Sequence, residues 1–112
     1  CETTVVATRC EFANGGRYGA YVEGSLTSAT FKNCVFHDNS DEGIEGGSDS
    51  TIHLYGEATA IHSNGRRGIY TWGSGKVLIH LPSDHNTTYN NGTDLDIGYG
   101  GIITNVDEEA DN

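Results

Sequence analysis

The chain has 112 residues, 16 acidic side chains against 6 basic ones, and a formal net charge of −10. That balance argues against nucleic acid and anionic membrane surfaces as partners, and no apolar run is long enough to insert into a membrane. Apolar residues are only 35%, with 16 Gly and 1 Pro, a mixture that suits short strands and tight Gly and Asn turns rather than a helical globule.

Three kinds of strand-like run recur along the chain. The first kind covers Val5 to Phe12, Phe31 to Phe36 and Ala58 to Ile61. The second opens at Gly19, Gly43, Gly68 and Leu95 and ends at Glu23, Gly47, Trp72 and Tyr99. The third covers Leu26 to Thr30, Thr51 to Tyr55, Lys76 to Leu81 and Gly101 to Thr104. Alternation turns Ile52 and Leu54, then Val77, Ile79 and Leu81, to an inner face.

An Asn precedes each run of the second kind. Asn14, Asn39, Asn64 and Asn91 are spaced by 25, 25 and 27 residues, and a fixed period of this size marks a solenoid. Stacked in register, each side-chain amide would donate to the next, forming a structural ladder along the axis. The same residue tolerates the left-handed backbone that a tight corner needs. The expected fold is all-β: a right-handed parallel β-helix of about four to five coils, with three short strands in each. It would fill residues 1–106, leaving 107–112 as an acidic tail or linker.

The run Phe31-Lys32-Asn33-Cys34-Val35-Phe36-His37-Asp38-Asn39, followed by Gly43-Ile44, resembles the repeat of right-handed parallel β-helix proteins, the pectate-lyase-like superfamily. The likeness extends over nearly the whole chain. Enzymes of that superfamily use carboxylates holding Ca²⁺ with an Arg or Lys base, paired Asp residues, or an Asp-Pro-His-Asp run. None of these sets occurs here; the single proline, Pro82, precedes Ser83-Asp84-His85.

Alternation along the second kind of run places Tyr21, Glu45, Tyr70 and Asp96 in one outward row, with Glu23 and Trp72 in the row beside it. Aromatic faces next to carboxylates suit either sugar rings or a protein contact surface. His37 pairs with His62 and His53 with His80 by the same period, without a third ligand at metal spacing. The acids from Asp38 to Asp49 lack a recognised Ca²⁺ spacing and read as a solvated turn, with Ca²⁺ only a weak alternative to no cofactor at all.

Cys10 and Cys34 share a repeat position and should both point inward, either bridged to each other or stacked as buried thiols. Cys1 lies outside that register and is the candidate for an intermolecular bond. The sequons at Asn86 and Asn91 suggest N-glycosylation and an extracellular or cell-surface location. A chain without Met that starts at Cys1 reads as a processed chain or a segment of a longer one, and its start carries no capping helix.

These residues favour a non-catalytic extracellular module, structural or adhesive, that stacks with copies of itself or with a longer parent chain. Carbohydrate contacts would run through the Tyr21, Tyr70 and Trp72 face. The alternatives are a carbohydrate-active enzyme domain of lyase or epimerase type, and a glycan-binding module.

Overall fold

The computed structural model describes residues 3–81 and 87–106. Cys1, Asn86, the segment around Asp84 and the acidic tail from 107 lie outside the described residues. Each coil is built from three strands. The first holds β1 (Thr3–Thr8), β2 (Glu11–Ala13) and β3 (Tyr18–Glu23). The second holds β4 (Thr27–Lys32), β5 (Val35–His37) and β6 (Glu42–Gly47). The third holds β7 (Thr51–Tyr55), β8 (Ala60–His62) and β9 (Arg67–Thr71). The fourth holds β10 (Lys76–His80), β11 (Thr88–Tyr89) and β12 (Thr93–Ile97), and β13 (Ile102–Asn105) begins a further turn.

Equivalent strands pair in parallel, giving three sheets ordered β1-β4-β7-β10-β13, β2-β5-β8-β11 and β3-β6-β9-β12. This is the expected parallel β-helix. Its inside is a set of apolar columns one coil apart. Val5, Ala29, Ile52, Val77 and Ile103 form one, and Ala20, Ile44, Ile69 and Leu95 another. Phe36 is fully buried, stacked on Phe12 with centroids 4.8 Å apart and meeting Phe31 edge-on at 5.0 Å. Burial of this column is what a chain with so few apolar residues can achieve by stacking.

Two of the predicted runs are each broken by a corner. The run from Val5 to Phe12 turns at Arg9, and that from Phe31 to Phe36 turns at Asn33, both in the left-handed region at φ 55°. No glycine announces either corner.

The ladder also differs from expectation at its first rung. Asn39 Nδ2 donates to Asn64 Oδ1 at 2.9 Å, and Asn64 Nδ2 donates to Asn91 Oδ1 at 2.8 Å. Asn14 is not part of it. Ala13 pairs with His37, so the first-coil residue beneath Asn39 is Gly15, whose N–H donates to Asn39 Oδ1 at 2.9 Å. The spacing across that joint is one residue shorter than the Asn period implies. Asn14 instead takes the left-handed corner with Asp38, Ser63 and Asn90, at φ 57–61°. In the later coils the rung residue and the corner residue are therefore neighbours, not the same residue.

Candidate functional site

The outward rows of the β3-β6-β9-β12 sheet form as the alternation requires. Tyr21 pairs with Glu45, Glu45 with Tyr70 and Tyr70 with Asp96, while Glu23 lies beside Gly47. The side chains are bound to each other. Tyr21 donates its hydroxyl to Glu23 at 2.7 Å, and that bond, with burial and nearby carboxylates, pushes the phenol up to about 12. Trp72 donates its indole N–H to Glu45 at 2.6 Å and lies flat against Gly47.

Arg67 is the centre of this surface, and the spacing arguments that found the rows did not include it. Its Nη1 donates to Glu42 at 2.9 Å and its Nε to Asp96 at 2.7 Å, so one guanidinium ties three coils together. It also lies over the Tyr70 ring, 4.1 Å from the centroid. The signal was available, because Arg67 stands one repeat after Glu42 in the row preceding the one that was read. Glu42 and Glu45 are buried, at 2% and 8% exposure. Burial pushes the Glu45 carboxyl up, and the neighbouring Glu42 adds to this, against the opposing indole bond.

Each of the carboxylates Glu23, Glu42, Glu45 and Asp96 already holds a partner, and the most perturbed one is covered. A general acid or base must reach its substrate, and Glu45 is not placed to do so. Of the aromatics on these runs, Tyr21 is 45% exposed and stacked with Tyr18 at 5.0 Å, Tyr99 is 93% exposed, and Tyr70 and Trp72 are half-buried.

The remaining titratable groups disperse. Asp38 turns to His37, Asp41 to Arg17 at 3.6 Å and Glu42 to Arg67, so the acids between 38 and 49 do not converge on a point where Ca²⁺ would sit. Among the described residues no group of three or more His, Cys, Asp or Glu side chains is arranged to hold a metal ion. His37 and His62 stack in parallel planes 5.1 Å apart, continuing to Tyr89 at 4.9 Å. His53 Nδ1 lies 2.9 Å from His80 Nε2.

His37 makes a testable contribution. Hydrogen bonds to Glu11 and then to Asp38 raise its pKa above the usual imidazole value. A raised folded-state pKa gives stability that is complete below the unfolded value of about 6.5 and is lost as pH rises through the folded one. The melting gap between the natural protein and His37→Gln is therefore expected to be widest near pH 5.5 and to shrink towards pH 9. A gap that widens with pH would contradict the assignment.

The two internal thiols are both free. Cys34 is fully buried and donates to Lys32 O at 3.4 Å, and Cys10 makes the equivalent bond to Thr8 O at 3.4 Å. Cys10 is nevertheless exposed, contrary to the expectation of burial, because no coil among the described residues covers it. It opens into a mouth of 720 Å³ at the β1–β3 end of the stack, lined mainly by apolar residues including Val5, Ala7, Phe12 and Val22. Asn91 likewise carries a constraint. Its Nδ2, the atom that would bear a glycan, is shared among Ile61 O, Tyr89 O and Asp94 Oδ1, each at 3.1 Å. The ladder and a glycan compete for one nitrogen.

Residues 1–106 match the family model described as "Right handed beta helix region", and the chain belongs to that family. No curated protein and no solved structure matches it.

Proposed function

We propose that this right-handed β-helix chain is a non-catalytic structural module that stacks with like units through the face formed by β1, β2 and β3. The observation that carries the reading is that face. Among the described residues, no further strand pairs with the outer edges of β1, β2 and β3, which surround an apolar mouth with Val5 48% exposed. Everywhere inside the molecule the same arrangement is covered by another coil. Unpaired strand edges around apolar surface are templates for further pairing.

The internally bound carboxylates of the β3-β6-β9-β12 sheet support the non-catalytic part over the lyase or epimerase alternative. A glycan-binding role has less to draw on, since Trp72 and Tyr70 are committed to Gly47, Glu45 and Arg67. The sequon at Asn86 supports a location outside the cell, with the Asn91 sequon serving the ladder instead.

Sedimentation equilibrium over a concentration series tests the proposal. The natural protein should associate as concentration rises, and Val5→Lys, which sets a charge in the mouth, should weaken association by roughly tenfold or more. A protein that stays monomeric at every concentration would overturn the reading.

A further inference from the structure

Two pairs of histidines stand one coil apart on the outside of the described stack, and they are built differently. His37 and His62 lie face to face, with ring planes 5° apart. Their nitrogens turn elsewhere: those of His37 to Glu11 and Asp38, and Nδ1 of His62 to Ser63 Oγ at 2.9 Å. His53 and His80 sit diagonally on β7 and β10, since the cross-strand neighbour of His53 is Leu78 and that of His80 is Tyr55. Their planes are tilted by 26°, and His53 Nδ1 approaches His80 Nε2 to 2.9 Å. In this pair the ring nitrogens face each other.

Strand alternation turns both rings outward, and each is half-buried. Tyr55 backs the pair. Its ring is stacked on His80 at 4.2 Å, with planes 9° apart, and stands 6.3 Å from His53. The strands of this sheet, β1, β4, β7, β10 and β13, carry no Asp or Glu, so imidazole nitrogens are the best cation donors that they offer. One of the two facing nitrogens carries the proton of an N–H···N bond. Moving that proton to the far nitrogen of its own ring leaves two lone pairs converging from adjacent coils, with no change of charge.

We propose that His53 and His80 form a binding site for a divalent transition metal ion, Cu(II) or Ni(II), which clamps the third coil to the fourth. Imidazole is a good ligand for both ions. Metal–imidazole bonds of about 2.0–2.1 Å that span the gap between these nitrogens would meet at roughly 90°. A tetrahedral ion needs its nitrogens about 3.3 Å apart, whereas square-planar and octahedral ions take neighbouring ligands at right angles. The separation therefore favours Cu(II) and Ni(II) over Zn(II), with water filling the remaining positions. The two histidines are 27 residues apart in the chain. The folded stack brings them together, so the ion adds to its stability.

Isothermal titration calorimetry at about pH 7.5, where ordinary imidazoles are mostly neutral, tests this. Ni(II), Zn(II) and Cu(II) are each titrated into the untagged protein after alkylation of its exposed thiols, since the free Cys10 would compete. Ni(II) should bind one to a chain and more tightly than Zn(II), with Cu(II) tighter still. His53→Gln and His80→Gln should each weaken Ni(II) binding by roughly tenfold or more, and His62→Gln should leave it unchanged. Ni(II) should also raise the melting temperature of the natural protein and not that of His53→Gln or His80→Gln. Affinity that survives both changes, or that falls with only one of them while the β-sheet circular dichroism spectrum is kept, would overturn the pair as the chelate. Zn(II) binding more tightly than Ni(II) would overturn the right-angle geometry. No binding of Ni(II) or Cu(II) to the natural protein would overturn the site, and that arm needs no variant to fold.

Discussion

Asn64→Ala is expected to lower unfolding free energy by about 3–5 kcal/mol, from two or more orphaned buried groups at about 1–3 kcal/mol each. Asn64 is 3% exposed and sits in the middle of the ladder. Its Oδ1 accepts from Asn39 N at 3.1 Å and from Asn39 Nδ2 at 2.9 Å. Its Nδ2 donates to Phe36 O at 3.2 Å and to Asn91 Oδ1 at 2.8 Å. Alanine removes the partner of the Asn39 N–H and one partner of the Phe36 carbonyl at a buried corner. For a domain of total stability near 5–15 kcal/mol, such a loss is severe. Asn14→Ala is the comparison. Asn14 is exposed and outside the ladder, so the change should cost about 1 kcal/mol, the penalty of alanine in the left-handed region. Urea unfolding followed by circular dichroism gives both values. Equal losses at the two sites would mean that Asn14 is a rung after all and that the register of the first coil is wrong.

Gly43→Ala should cost about 3 kcal/mol, at the upper end of overpacking effects. The added Cβ would lie 2.5 Å from Ile61 Cγ2, 2.8 Å from Asn64 Nδ2 and 3.0 Å from Gly68 O. A core side chain, the ladder and the backbone would all have to move at once. Gly16 provides the contrast, because a Cβ there meets nothing within 4 Å. Gly16→Ala should be neutral or stabilise by up to about 1 kcal/mol through the unfolded chain. The same urea titration separates them. A Gly43→Ala loss below about 1 kcal/mol would show that coils can part at this corner.

Much of this architecture was legible in the sequence because a solenoid repeats its physics. One coil's alternation predicts the next, so the inner column from Ile52 to Val77 and the outward row from Tyr21 to Asp96 follow from the period alone. What the period hid were departures from it. The first joint is one residue short, which moves the rung from Asn14 to Gly15, and a regular Asn spacing across that joint conceals the shift. Arg9 adopts a left-handed corner without the Gly or Asn that usually marks one, so two strands looked like a single run. Arg67 is hard to single out in the sequence because its partners, Glu42 and Asp96, lie one coil away on either side and are distant in the chain.

The surface network and the two ends divide the roles of the molecule. Arg67, Glu45, Trp72 and the Asn ladder hold coil to coil. Among the described residues, no coil covers the strand edges and apolar side chains on the β1, β2 and β3 side. The most direct measurement of the central claim is amide hydrogen exchange at low and high protein concentration. Residues of β1, β2 and β3 should gain protection as concentration rises, while those of β12 stay unchanged. Concentration-independent exchange at β1–β3, or new protection at β12 instead, would contradict assembly through the face formed by β1, β2 and β3.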